Sequence, residues 1–127
     1  MAKINARTKG AKGELEFCRW LFDNYNVPMP TRNLEQVRSG GSDIIDIEPF
    51  FFEVKRCEKL SLFAWWAQVS KAVRNSHIET AIPVVAFRQN RKDWEFLIPA
   101  TEIGVKKGFL RISERTFLQW SSDKINF

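Results

Sequence analysis

The segment Phe50-Phe51-Phe52-Glu53-Val54-Lys55-Arg56 constrains this chain more than any other. Three successive phenylalanines with a β-branched valine two residues on favour an extended strand. Side chains alternate along a strand, so Phe51, Glu53 and Lys55 share one face while Phe52, Val54 and Arg56 share the other. A Glu and a Lys two positions apart are an odd pattern for a buried strand. Leaving both charges in a core costs roughly several kcal/mol unless each has a partner.

Asp43-Ile44-Ile45-Asp46-Ile47 is a second extended run, separated from the first by Glu48-Pro49. Such a pair reads as two neighbouring strands around a turn. A hairpin closed near Pro49 predicts Ile47 opposite Phe51, Ile45 opposite Glu53 and Asp43 opposite Lys55. Asp43 and Glu53 are then diagonal neighbours on one face, within reach of one cation. Asp46 falls on the opposite face and Glu48 in the turn. A register shift of one residue would break the arrangement.

The rest of the chain predicts what surrounds this hairpin. Residues 10–25 read as a helix, with Leu15, Cys18, Trp20, Leu21, Phe22 and Tyr25 as its apolar stripe. Pro28 and Pro30 end it. Residues 33–38 read as a short strand and Ser39-Gly40-Gly41-Ser42 as a loop. Residues 61–75 read as a second helix, with Leu62, Trp66, Val69 and Val73 on one face. Trp66 is expected to pack; adjacent Trp65 cannot enter the same core and stays unassigned. Residues 81–87 and 94–98 read as strands joined by the polar loop 88–93. Thr101 to Lys106 reads as a helical turn and 113–120 as a short helix capped by Ser113. The order helix, three strands, helix, two strands predicts one α/β domain over residues 1–127. Its central mixed sheet has about five strands flanked by helices. Residues 1–9 are polar and basic, and read either as an arm that orders on an anion or as an ordinary frayed terminus.

A chain of 127 residues has room for one core. Its net charge of +5 suggests an anionic partner, nucleic acid first. Cys18 and Cys57 are too few for a disulfide framework. Together with His77 they are also too few for a structural zinc site, which takes about four such ligands. The single histidine excludes a nuclease built on a histidine pair. No apolar stretch reaches the roughly 18 residues that span a membrane. The basic N-terminus has no apolar segment behind it, so the protein is expected to be intracellular.

Asp43, Glu53 and Lys55 suit phosphodiester hydrolysis. That reaction places further negative charge on a phosphoryl group that is already anionic. Hard carboxylate oxygens hold Mg²⁺, which keeps several waters and binds the phosphate. The cation lowers the pKa of a bound water and offsets charge in the transition state. A lysine beside it can orient that water, assist its deprotonation or stabilise the pentacovalent phosphorus.

Four features, in order along the chain, extend this set. Lys9-Gly10-Ala11-Lys12-Gly13-Glu14 opens the first helix. Arg38-Ser39-Gly40-Gly41-Ser42-Asp43 is a small-residue loop before an acid. Glu53-Val54-Lys55 follows on the strand, and Gln68 lies on the next helix. From about residue 7 to residue 98 the chain resembles the PD-(D/E)XK nuclease superfamily. Within it, the chain is most similar to archaeal-type and phage-encoded Holliday junction resolvases. The resemblance implies a restriction-endonuclease-like core. It makes Asp43 and Glu53 metal ligands, Glu14 a ligand directly or through water, and Lys55 the water-orienting base or phosphate contact. Glu16, close to the same helix start, is easily confused with Glu14. Gln68 reads either as a contact of the nucleophilic water or of Lys55, or as a solvated helix residue.

The resemblance further implies a Mg²⁺-dependent endodeoxyribonuclease, with Mn²⁺ able to substitute. Its substrate would be four-way DNA junctions, cut by a homodimer in a prokaryotic or phage-infected cell. Two other readings stay open: another small nuclease of the same core that nicks or repairs DNA, and a branched-DNA-binding protein that does not cut. Arg7, Lys9, Lys12, Arg32, Arg38, Arg56 and Lys71 cluster in sequence around the site and are the expected DNA-backbone contacts. Arg88, Arg91 and Lys92 make a basic loop that reads as a solvated turn or a second contact. His77 is expected to be structural or on the surface. Cys18, on the apolar stripe, is not expected to act as a nucleophile, nor is Cys57.

Overall fold

The structure is a computed structural model that describes residues 6–25, 31–32, 43–45 and 47–125. Helix α1 is Ala6–Asn24, strand β1 Thr31–Arg32, β2 Ile44–Ile45 and β3 Phe50–Arg56. Helix α2 (Leu62–Ser76) leads to β4 (Ile82–Arg88) and β5 (Glu95–Pro99). A 3-10 turn at Ala100–Ile103 precedes β6 (Phe109–Ser113) and helix α3 (Glu114–Ser121). The main sheet has the order β3-β4-β5-β6, and β1 and β2 form a separate antiparallel pair. β3 runs parallel to β4, with α2 as the crossover such a pair requires. β4–β5 and β5–β6 are antiparallel. The mixed α/β class expected from the sequence therefore holds.

The expected five-stranded sheet is corrected in two places. Among the described residues the segment of Asp43 forms no ladder with β3, and β2 pairs with β1. β6 is a strand that the sequence pattern does not announce. It is a short edge strand with no fully buried residue, Leu110 and Ile112 half-buried on one face and Arg111 and Ser113 exposed on the other, so its hydrophobic signal is weak. The expected strand at 33–38 and the loop at 39–42 lie outside the described residues. Helix α1 starts at Ala6, four residues earlier than expected, because Ala, Arg and Lys are good helix formers. It thus takes up residues 6–9 of the expected arm, and residues 1–5 lie outside the described residues. Ser113 caps α3 as expected, its side chain accepting from the Thr116 N–H.

The sheet has a core on each face. On one, Phe50, Phe52, Val54 and Phe96 pack with Phe17, Cys18 and Leu21 of α1 and Phe117 of α3. Phe96 and Phe117 stack with ring centroids 3.8 Å apart. On the other, Phe51, Val85, Phe87 and Leu97 pack with Trp65 and Val69 of α2. The alternation expected along β3 is therefore present: Phe52 and Val54 look toward α1, and Phe51 toward α2.

Helix α1 is turned by about one residue from the expected phase, whereas α2 packs its expected face, Leu62, Trp66, Val69 and Val73, and adds Trp65 to it. On α1, Leu15 and Phe22 are 57% and 42% exposed, while Phe17 is fully buried. The buried stripe is Glu14, Phe17, Cys18 and Leu21, recurring at helical spacing. Its phase is fixed by Gly13, which lies flat against β3; a Cβ there would stand 2.6 Å from Arg56 Cβ. On α2, Trp65 is buried with its ring 5.5 Å from that of Phe87. Trp66 is half-buried, 5.8 Å from Phe109. His77 ends α2 in the left-handed conformation. No described helix is long and apolar enough to cross a membrane.

Candidate active site

β3 is an end strand of its sheet, and Asp43 lies along its open edge. The Asp43 N–H donates to Phe52 O at 2.8 Å, and the Val54 N–H donates to the Asp43 carboxylate at 2.7 Å. Asp43 therefore sits beside Phe52 to Val54, not opposite Lys55 as a regular hairpin predicts. The side chain takes an N–H that a partner strand's carbonyl would otherwise accept, and among the described residues no regular ladder runs between the two segments. The turn is closed by the Phe50 N–H donating to Ile47 O at 3.0 Å. The expected register is thus wrong, yet Asp43 still reaches the neighbourhood of Glu53. A bond from side chain to backbone does not depend on which face the strand's alternation assigns to the residue. Asp46 lies outside the described residues, and Glu48 is exposed.

Glu53 and Lys55 occupy the same face of β3, as strand geometry requires. Lys55 Nζ is 3.3 Å from Glu53 Oε1. Gln68 ties the two together from α2: its Nε2 donates to Glu53 Oε1 at 2.8 Å, and its Oε1 accepts from Lys55 Nζ at 3.0 Å. Of the two readings of Gln68, the structure places it in the site. Glu14 comes from α1, where the buried stripe carries it inward, and it accepts from Arg32 Nε at 2.8 Å. Glu16 faces elsewhere, pairing with Arg56 at 3.1 Å and Arg88 at 3.8 Å. The sequence alone could not separate Glu14 from Glu16; the phase of α1 does.

Glu14, Asp43 and Glu53 are all buried, at 6%, 4% and 9% exposure. Burial pushes the Asp43 carboxyl up to about 8, helped by the charges of Glu53 and Glu14 and opposed by the Val54 N–H and Lys55. Burial also raises Glu53; the charge and hydrogen bond of Lys55 hold it back, and Glu14 adds to the rise. These acids interact although they come from α1, the edge segment and β3. Asp43 makes no ion pair among the described residues; the cations Arg32 and Lys55 pair with Glu14 and Glu53. Among the described residues, therefore, Asp43 is the acid of this cluster with no cation paired to it. Among the described residues no three His, Cys, Asp or Glu side chains converge on one point. A pair of carboxylates is what Mg²⁺ commonly takes from a protein, the other positions being filled by water and phosphate. The donor set of Asp43 and Glu53, hard oxygens in excess of cations, fits such an ion.

No family model and no curated protein matches this chain. Among solved structures it is similar to Hjc, a Holliday junction resolvase from the archaeal hyperthermophile Archaeoglobus fulgidus. The identity is 20% and the TM-score 0.48, over 86% of this chain and 87% of that one.

The basic residues expected to contact DNA do not gather as their closeness in sequence suggests. Arg56 is on the face of β3 opposite Lys55. It donates to Glu16 at 3.1 Å, to Arg88 O at 3.3 Å and to Asn90 at 2.8 Å. Lys12 lines a cavity of about 700 Å³ between α1 and the β4–β5 loop, together with Glu16, Trp20 and Arg88. Strand alternation sends Arg56 to the α1 side, and Lys12 shares the outer face of α1 with Glu16. Arg32 is drawn inward to Glu14. Lys71 is exposed on α2, one turn beyond Gln68. The side chains of Arg7 and Lys9, and all of Arg38, lie outside what the structure describes. Arg88 donates to Lys92 O at 2.7 Å, and Arg91 adopts the left-handed conformation, so this loop is a built turn. Burial pushes the Cys18 thiol up to about 11, which leaves it protonated and unreactive at neutral pH.

Proposed function

We propose that the protein is a divalent-metal-dependent endonuclease that hydrolyses DNA phosphodiester bonds at branched sites, with Asp43, Glu53 and Lys55 at its centre. The observation that carries this reading is the charge imbalance at the edge of β3. Buried Asp43 and Glu53 lie near buried Glu14, and Asp43 has no cationic partner among the described residues. Such an arrangement is costly in the absence of a bound cation, and groups perturbed this way cluster at functional sites.

In this reading Asp43 and Glu53 hold Mg²⁺, with Mn²⁺ able to replace it, and Glu14 supports them directly or through water. When bound, the ion supplies positive charge that makes a water more acidic and offsets charge building on the phosphoryl group. Lys55, held by Gln68, presents its ammonium beside Glu53, where it can orient the attacking water or contact the scissile phosphate. Gln68 keeps Glu53 and Lys55 in register with each other. Lys71 is the exposed cation on α2 suited to the DNA backbone. Arg7, Lys9 and Arg38 keep the roles their sequence positions suggest.

The finer reading is a homodimeric Holliday junction resolvase of the PD-(D/E)XK kind acting inside the cell. It is supported by the order Gly10-to-Glu14, Asp43, Glu53-Val54-Lys55 and Gln68 along the chain. Two symmetric cuts across a four-way junction also need two sites related by a two-fold axis.

The test uses labelled four-way junctions, flaps, linear duplex and single strands, each with Mg²⁺ and with EDTA. Paired nicks confined to junctions, from a protein that sediments as a dimer, are expected. Cutting across all substrates would move the assignment to a general nicking or repair nuclease. Binding without cutting under any divalent metal would reduce the protein to a branched-DNA binder and end the catalytic reading. Binding is expected to weaken steeply with salt, as neutralisation of several phosphates requires.

A further inference from the structure

We propose that Arg32 is a positioning residue: its guanidinium holds the Glu14 carboxylate in place beside Asp43 and Glu53, and it is not a DNA contact. The inference rests on the nuclease reading above and deepens it by adding a residue to the machinery of that site.

Glu14 lies on the buried stripe of α1 and is only 6% exposed. A carboxylate so placed needs a hydrogen-bonded partner that fixes it in a single position. Arg32 supplies it, with Nε 2.8 Å from Glu14 Oε1. The Arg32 side chain is itself 26% exposed, well withdrawn from solvent for an arginine. The Nε edge of this guanidinium is engaged by Glu14, which sets it to hold that carboxylate.

The backbone strengthens the assignment. Arg32 is one of the two residues of β1, and its register partner is Ile44, next to Asp43. One small ladder therefore fixes both Asp43 and the partner of Glu14. Through the guanidinium, α1 is tied to the same ladder. Removing Arg32 would take away the 2.8 Å guanidinium contact that orients Glu14 beside the other two acids. The carboxylate would then lose the contact that orients it, and its contribution to the site would fall.

The test compares wild type, Arg32→Gln, Arg32→Lys, Glu14→Gln and the double variant Arg32→Gln/Glu14→Gln. Steady-state cleavage gives kcat and KM, and DNA affinity is measured separately in EDTA. Arg32→Gln is expected to lower kcat about 10–100-fold, the range for groups that orient a metal ligand. KM and metal-free DNA affinity should stay at the wild-type level. The double variant should be no slower than Glu14→Gln alone, and Arg32→Lys should recover part of kcat. Full kcat in Arg32→Gln, any loss of metal-free affinity, or losses that multiply in the double variant would overturn the proposal. If Arg32→Gln does not fold, Arg32→Lys and its double with Glu14→Gln carry the same comparison. A wild-type protein that cuts no DNA sinks the nuclease reading itself. One that cuts, with Arg32→Gln cutting at the same rate, sinks only the role given to Arg32.

Discussion

The backbone N–H of Val54 donates to the side chain of Asp43 at 2.7 Å, so an acid from one segment is anchored to the peptide between Glu53 and Lys55 of another. Val54 itself points to the α1 core, while its neighbours on either side form the site. The anchoring is thus independent of the side chain at position 54. It depends on the oxygen at position 43.

That dependence makes Asp43→Asn an informative substitution. Asparagine keeps a carbonyl oxygen for the Val54 N–H, so the fold is expected to survive. The negative charge is lost, so cleavage should fall below detection while DNA binding in EDTA stays unchanged. Mg²⁺ should raise the melting temperature of wild type; an ion at about 100 times its Kd stabilises by about 2.7 kcal/mol. That rise should disappear in Asp43→Asn. Wild-type cleavage by this variant would remove Asp43 from the site.

The metal-free protein should lose stability as pH rises. The Asp43 carboxyl titrates at about 8 in the folded state against 3.8 unfolded. Between these values the folded state binds a proton that the unfolded state has released, so the free energy of unfolding falls as pH increases. The contribution is complete below about pH 4 and gone above about pH 8. Thermal melts in EDTA across this window should show the decline in wild type and a flatter profile in Asp43→Asn. Identical slopes in the two proteins would contradict the burial argument.

Gln68 bridges Glu53 and Lys55, so Gln68→Ala should slow cleavage about 10–100-fold. Its effect on stability should be within about 0.5 kcal/mol, because the residue is exposed on α2. A single-turnover assay with excess protein separates this from weakened binding. An unchanged single-turnover rate would make Gln68 an ordinary surface residue.

Gly13→Ala tests how α1 delivers Glu14. Alanine improves helix propensity by about 1 kcal/mol. Against that, its methyl group would stand 2.6 Å from Arg56 Cβ, an atom fixed by the backbone of β3. Overpacking of this kind costs about 1–3 kcal/mol. The net expectation is a loss on the order of 1 kcal/mol in urea unfolding, together with reduced cleavage as α1 moves off the sheet. A stabilised, fully active variant would show that the helix can shift without disturbing Glu14.

The face assignments along β3 were legible because a strand's period of two is fixed by backbone geometry, and Phe51, Glu53 and Lys55 follow it without help from their surroundings. Helix phase was less legible. Leu21 and Phe22 are both apolar, as are Trp65 and Trp66, and a sequence pattern does not say which member of such a doublet faces inward. Close packing of Gly13 on Arg56, and of Trp65 on Phe87, settles it. The hairpin register departs from the expected one for a related reason. Pairing rules assume that backbone carbonyls accept the ladder bonds, and Asp43 puts its own carboxylate in that place.

By itself, the sequence determined that this chain makes a mixed α/β domain and that Glu53 and Lys55 share a strand face, since both follow from local periodicity. Only the tertiary structure decided that Arg32 answers Glu14, that Arg56 joins Glu16, and that Asp43 meets β3 through a backbone amide. Each of those contacts joins residues distant in the chain or depends on a side-chain direction set by packing. Charge and proximity along the chain carry no information about which pairs will meet once the helices close on the sheet.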